Sequence, residues 1–240
     1  GMKYGICLQS LITQRSEPKE SSEMVNQLLF GEHYEILHVE EKWVKIRTVQ
    51  DAYEGYIDIK CHFRLSDAEF AEWSQVSKIS IQTLQSVSIN NNSHWLSPGC
   101  MLPQTSLNWL AHDYNSVNLT WENAAKQFLN TPYLWGGKNP FGIDCSGFTQ
   151  CIASTQNIKI MRDAFQQAEQ GEPYTEQYGA LAFFVNDKNR VTHVGIVLND
   201  SKIIHASGKV RIDDLTKDGI IHSETKALTH KLSHFRCIGL

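Results

Sequence analysis

The sequence predicts an α+β protein: a small all-β module, then a domain in which helices come first and antiparallel strands after. Three observations carry that prediction. Apolar runs up to about residue 64 are short and strand-sized, a 3.6-residue apolar periodicity first becomes clear at Trp121, and strand-like runs return from Ala180 onward. At 240 residues the chain holds one large domain or two modest ones. Its 41% hydrophobic and 20% charged residues exclude disordered, collagen-like and coiled-coil chains. No stretch reaches the roughly 18 apolar residues of a membrane span. A net charge of −4 without a basic stripe argues against a nucleic-acid partner.

Residues 1–65 read as five short strands, at 6–8, 28–30, the alternation Tyr34, Ile36 and His38, then 43–46 and 56–59. That density suggests a small barrel. Residues 16–22, rich in Glu, Pro, Lys and Ser, read as a loop, and Glu54-Gly55 as a turn before the last strand. The signal weakens over 66–118, where a helical pattern at 67–73, a strand-like 79–84, a polar Asn90-Asn91-Asn92 turn and an apolar 95–102 suggest a degenerate second β-module or a structured linker.

Residues 119–240 change character. Thr120 is placed to cap a helix whose apolar positions Trp121, Ala124, Ala125, Phe128 and Leu129 share one face, and Pro132 stops it. A turn-rich stretch from Trp135-Gly136-Gly137 to Gly142 leads to a helix from Cys145 to about 154, and a third helix over 163–170 ends at Gly171. Strands are expected at 180–185, 191–198, 202–206 and 235–240. Nine basic against fourteen acidic residues give residues 1–118 a charge of −5, so the β half is the acidic half.

Six cysteines without a C-x-x-C pair disfavour zinc, iron–sulfur or disulfide frameworks, and most of them read as small buried apolar residues. Cys145 stands apart. It follows a Gly- and Pro-rich turn and opens a helix, where the helix dipole favours a thiolate, whereas Cys151 would face elsewhere. Two histidines, His193 and His205, lie in strand-like sequence on either side of Asn199-Asp200-Ser201. A three-residue loop pairing Leu198 with Lys202 puts both imidazoles on one face as diagonal neighbours, and a two-residue loop puts them on opposite faces. On one face, one imidazole serves as base and the other orients it, the logic of a catalytic triad.

Four motifs at these positions, Tyr133-Leu134-Trp135-Gly136-Gly137, Asp144-Cys145-Ser146-Gly147-Phe148, His193-Val194-Gly195-Ile196 and Ile204-His205-Ala206, resemble in order and spacing those of NlpC-type bacterial cell-wall cysteine peptidases. The resemblance implies a papain-like fold over 119–240, with Cys145 as nucleophile, His193 as base and acid, and His205 as the orienting residue. It also assigns the Tyr133 hydroxyl to the oxyanion, beside the Cys145 N–H; the other reading of Tyr133 is a packed core tyrosine. Further upstream, Ser22-Glu23-Met24, the run from Gln27 to Glu32 and Tyr53-Glu54-Gly55-Tyr56 resemble the SH3-like barrel joined to γ-D-glutamyl-L-diamino acid endopeptidases. In that group the barrel roofs one end of the cleft. By position Tyr53 and Glu23 would receive the amine of L-Ala, although Glu23 also reads as a solvated loop carboxylate. Trp135, Asp144 and Ser146 match pocket positions, and Arg162 with Asp163 matches the family's Arg-Asp pattern. Ala164 departs from the frequent serine, which removes one potential hydrogen bond.

These resemblances imply a hydrolase, a thiol protease that cleaves the γ-D-Glu to diamino acid bond of L-Ala-γ-D-Glu-diaminopimelate during peptidoglycan recycling. The partner is a small cell-wall peptide with a free N-terminal L-Ala; no metal or organic cofactor, nucleic acid or membrane is implied. With no apolar leader before Tyr4, a cytoplasmic location is expected. Two rivals remain: an amidase or acyltransferase using the same Cys-His machinery, and an inactive cell-wall-binding module.

Overall fold

A computed structural model describes residues 3–240. The chain forms two compact units: residues up to Leu119 with Trp135–Asn139, and Thr120–Leu134 with Pro140–Leu240.

In the first unit, β1 (Tyr4–Ile6), β2 (Leu11–Arg15), β3 (Met24–Leu29), β4 (His33–Glu40), β5 (Trp43–Thr48), β6 (Glu54–Asp58) and β7 (Phe63–Leu65) make one antiparallel sheet in the order β3-β2-β6-β5-β4-β1-β7. Its core is Cys7, Ile12, Leu28, Tyr34, Val44, Ile46 and Ile57, all essentially inaccessible. The sequence shows five strands where seven form. β2 is hidden because its inward positions are Ile12 and Gln14; the buried Gln14 Oε1 accepts from Asn26 Nδ2 at 2.9 Å, so a polar pair stands where the alternation needs an apolar residue. Glu54-Gly55 is strand, not turn, and the turn falls a few residues earlier, with Ala52 at φ 52°. Gly55 serves close strand approach: a Cβ there would stand 2.8 Å from Gln14 Cγ and 2.9 Å from the Arg15 carbonyl.

Residues 66–119 count with this unit. Helix α1 (Asp67–Gln75) starts on a Ser66/Glu69 capping box and buries Trp73, whose indole donates to the Gly31 carbonyl at 2.9 Å. Two short ladders follow, β8 (Lys78–Ser80) with β11 (Met101–Pro103), and the hairpin of β9 (Gln85–Ile89) with β10 (Asn92–Leu96) across Asn90 and Asn91, both at positive φ.

In the second unit α2 (Trp121–Lys126) starts on Thr120, whose side chain accepts from Asn123 N. It ends earlier than its apolar periodicity suggests: Phe128 and Leu129 bond three residues back, tightening the last turn, and Asn130 sits at φ 74°. After β12 (Lys138–Asn139), which counts with the first unit, and β13 (Gly142–Ile143) comes α3 (Cys145–Thr155), almost wholly buried, then α4 (Ala164–Gln167). α4 is half the expected 163–170, because residues 169 and 170 also bond three back before Gly171 reverses the chain at φ 69°.

The strands are β14 (Glu172–Tyr174), β15 (Leu181–Val185), β16 (Val191–Val197), β17 (Lys202–Ser207), β18 (Lys209–Leu215), β19 (Gly219–Ile221) and β20 (Leu228–Cys237). β15 to β20 pair in sequence order, and β20 also pairs β15, which closes a six-stranded barrel; β14 adds to the outside of β20. Ala180, Ala182, Phe184, Val197, Ile203, Leu215 and Ile220, with Leu232 and Phe235 beside them, fill it. The terminal strand expected at 235–240 starts at Leu228 and stops at Cys237. Its polar alternation, with Thr229, His230, Lys231, Ser233 and His234, conceals it.

Candidate active site

The start of α3 is locked by three buried polar side chains. Asp144 caps the helix, its Oδ1 accepting from Gly147 N at 2.7 Å, and takes a two-pronged bond from Arg162, Nη1 to Oδ1 and Nη2 to Oδ2, each 2.9 Å. Arg162 Nη1 also donates to Ser146 Oγ at 3.0 Å, and the guanidinium is inaccessible to solvent. Asp144, Ser146 and Arg162, expected at pocket positions, therefore bind one another and fix the backbone around Cys145. Asp163 is the N-cap of α4, in a reciprocal capping box with Gln166, and Ala164 is the buried first residue of that helix.

Cys145 is the first residue of α3 and 7% exposed. Its thiol donates to the Thr192 carbonyl, Sγ to O 4.0 Å, on the residue before His193. The expectation of a depressed thiol pKa fails here. Burial pushes it up to about 12, and the neighbouring Asp144 carboxylate adds to the rise, outweighing the helix start. At rest Cys145 is therefore a thiol, and any reaction through its sulfur needs a base to take that proton. Cys151 is buried one and two-thirds turns further on.

α3 packs against β16 and β17. Gly195 pairs His205 and Val197 pairs Ile203, the register of the three-residue loop, with Leu198 N donating to Lys202 O at 2.8 Å. His193 and His205 thus share the face of Val197 and Ile203, and His193 Nε2 stands 2.8 Å from His205 Nδ1. The next ladder pairs His205 with Arg211 and Ile203 with Asp213, which carries the same face onto β18. His205 Nε2 stands 2.7 Å from Asp213 Oδ2; Asp213 also accepts from Arg211 Nε at 2.8 Å and Ser223 N at 2.9 Å. Those donors hold the Asp213 carboxyl well below its usual range against its burial. Burial lowers both His193 and His205, so both rings stay neutral near pH 7. Asp213 and Arg211 went unread in the sequence. Their signal is the alternation Arg211-Ile212-Asp213 after the Ser207-Gly208-Lys209 turn.

His230 also joins this group, its ring stacked on that of His193 at 4.1 Å between centroids. Burial lowers its pKa to about 4. The ligand atoms of His193, His205 and His230 lie within 4.8 Å of one another, a spacing a metal ion can bridge. Here, however, the first two bond each other and His230 Nδ1 bonds Thr229 Oγ1 at 2.7 Å.

Tyr133, half-buried, sits beside Ile143 through a parallel bridge. Burial first, then the proximity of Cys145 and Asp144, raise its phenol pKa, so it stays a proton donor. In the first unit Trp135 Nε1 donates to Glu23 Oε2 at 2.6 Å, bringing together two expected substrate residues, both exposed. Tyr53 lies just before β6, its N–H donating to Thr48 Oγ1 at 3.0 Å.

Residues 130–229 match the NlpC/P60 family, and residues 15–60 match the bacterial dipeptidyl-peptidase Sh3 domain. The second unit therefore carries an NlpC/P60 domain and the first an SH3-like domain, in the papain-like α+β architecture that the motifs imply. Among curated relatives, a γ-D-glutamyl-L-lysine dipeptidyl-peptidase of Bacillus cereus is 38% identical over 107 residues, 41% of this chain and 32% of that protein. A protein of the same name from Bacillus subtilis is 40% identical over 84 residues, 33% of this chain and 28% of that protein. The alignments to these two thus span about a third of the relatives' length. Dipeptidyl-peptidase 6 of Lysinibacillus sphaericus is 26% identical over 260 residues, 89% of this chain and 92% of that protein. The crystal structure of an NlpC/P60 family protein from Bacillus cereus shares the fold, with a TM-score of 0.77 and 22% identity over 98% of this chain and 99% of that one. No helix among the described residues is long and apolar enough to cross a membrane.

Proposed function

We propose that this chain is a cytoplasmic cysteine peptidase that hydrolyses the γ-D-Glu to diamino acid bond of free L-Ala-γ-D-Glu-diaminopimelate peptides released from peptidoglycan. The observation that carries this reading is the His193–His205 contact of 2.8 Å on the strand whose Thr192 carbonyl receives the Cys145 thiol. Cys145 Sγ attacks the γ-carbonyl as His193 takes its proton, and the Tyr133 hydroxyl with the Cys145 N–H stabilises the oxyanion. The proton on His193 then passes to the leaving amine, and water, activated by the same imidazole, hydrolyses the thioester. We assign recognition of the L-Ala ammonium to Glu23, Tyr53 and Trp135. The indole–carboxylate bond supports that assignment, since it holds Glu23 in one orientation. The names of the two Bacillus relatives support the γ-D-glutamyl bond and raise lysine beside diaminopimelate as the third residue.

The test is incubation with L-Ala-γ-D-Glu-diaminopimelate, its lysine counterpart and the N-acetylated form, with mass spectrometry of the products. Release of L-Ala-γ-D-Glu by the wild type and by Cys151→Ala, and a loss of several orders of magnitude in Cys145→Ala, are expected. Because a site built to bond a polar group rejects a ligand lacking it by about 10⁴-fold, the acetylated peptide should be refused. Equal kcat/KM for the free and acetylated peptides overturns the assigned amine recognition and favours the amidase reading.

A further inference from the structure

We infer that Asp213 is a positioning residue that selects the working tautomer of His193 through His205, because the three side chains are bonded in series across β16, β17 and β18. The inference rests on the roles proposed above for Cys145 and His193. Asp213 is 2% exposed. One oxygen accepts from Arg211 Nε and the other from Ser223 N, so the group is an ionised carboxylate and only accepts. The 2.7 Å contact of His205 Nε2 with Asp213 Oδ2 therefore places a proton on His205 Nε2. A neutral imidazole has one N–H, so His205 Nδ1 carries a lone pair. The 2.8 Å contact between that lone pair and His193 Nε2 places the proton of His193 on Nε2. The lone pair of His193 is then on Nδ1.

That tautomer is the one that can act. When the Cys145 S–H bond breaks, the electron pair stays on sulfur and the proton goes to His193 Nδ1, while Nε2–H continues to donate to His205 Nδ1. The imidazolium so formed remains bonded to a neutral acceptor. On cleavage of the amide C–N bond, the Nδ1 proton goes to the leaving nitrogen. His205 and Asp213 neither gain nor lose a proton. In the reversed arrangement His205 Nδ1–H would donate to His193 Nε2, leaving His193 with a proton on Nδ1 and unable to take the thiol proton. The other charged or titratable neighbours act around this series: Arg211 is bonded to Asp213, His222 influences His205, and His230 covers a face of the His193 ring.

The experiment is ¹⁵N NMR of histidine side chains in the wild-type chain near pH 7, with His193→Gln and His205→Gln used for assignment. Protons on Nε2 and bare Nδ1 atoms are expected for both rings. Asp213→Asn and Asp213→Ala should shift both rings toward the Nδ1–H form and lower kcat by about 10²-fold or more, as a wrong histidine tautomer does, with KM within about twofold. A wild-type His193 protonated on Nδ1, or Asp213 variants with unchanged tautomers and kcat, overturns the inference. The wild-type spectrum decides it even where a variant fails to fold. Failure of the wild type to cleave any of the peptides would instead overturn the proposed function and leave the tautomer result standing.

Discussion

Burial gives the ionisable groups around α3 their protonation states. Cys145 illustrates it: its place at a helix start suggests a thiolate, yet a 7% exposed sulfur beside Asp144 stays a thiol. The neighbouring histidines make stability depend on pH. His193 and His205 titrate below their ordinary range and His230 near about 4, in each case chiefly because of burial. A histidine whose folded pKa lies below its unfolded value of about 6.5 is protonated first in the unfolded chain. Its stability is fully present above that value and is lost as the pH falls toward the folded pKa. Asp213, also lowered, acts in the same direction at still lower pH. The urea midpoint of the second unit is therefore expected to fall between about pH 6.5 and 4. His230→Gln should flatten that decline; a midpoint constant over the range would contradict the burial argument.

At the scale of elements, the β16–β17 hairpin sets the imidazole geometry, and Gly195 is its tightest point. A Cβ there would stand 2.8 Å from both His205 Cβ and Ile203 Cδ1, in the pair directly opposite His205. Gly195→Ala must displace the His205 backbone or side chain by several tenths of an ångström, which disturbs the bond to His193. The expected outcome is a kcat lowered by about 10-fold or more with KM little changed, and a stability loss of about 1–3 kcal/mol as in other overpacked cores. Peptide kinetics with parallel urea unfolding checks it, and wild-type kcat in Gly195→Ala would show that the pair tolerates displacement. Two registers of the hairpin were legible in the sequence, and the pairing of Gly195 with His205, which leaves the three-residue loop Asn199-Asp200-Ser201, decides between them. The length of α4 was not, because its apolar periodicity continues through a turn that bonds three residues back.

Across the molecule, distant segments are joined by buried polar groups. Lys138 Nζ lies 3.0 Å and 3.2 Å from the two Glu32 oxygens, 106 residues away in the chain, and both side chains are nearly inaccessible. Burial raises the Glu32 pKa while Lys138 opposes the rise. Glu32 also accepts from Leu29 N and Gln50 Nε2, which anchors the pair to the first unit. Lys138→Met leaves a buried carboxylate without its counter-charge and should cost about 3–5 kcal/mol, whereas the double variant Lys138→Met with Glu32→Gln should recover much of that loss. Chemical denaturation of the four chains of this cycle measures the coupling; additive losses would show that the charges do not act as a pair.

The sequence by itself determined the all-β beginning, the α+β second half and the helix opening at Cys145. Those features rest on local signals: apolar period, caps and glycines; the shared face of His193 and His205 was one of two arrangements the loop allowed until β16 and β17 paired. Tertiary structure alone decided the rest. Gln14 conceals a strand because its partner, Asn26, is recognised only once β2 and β3 pair. Arg162, Asp144 and Ser146 read as separate pocket residues and become one buried cluster when α3 packs. Asp213 has no motif of its own; it meets His205 only because β18 returns beside β17 in a fixed register. Polar contacts of this kind depend on which chains become neighbours and how far water is excluded, and neither is encoded at the position of a single residue.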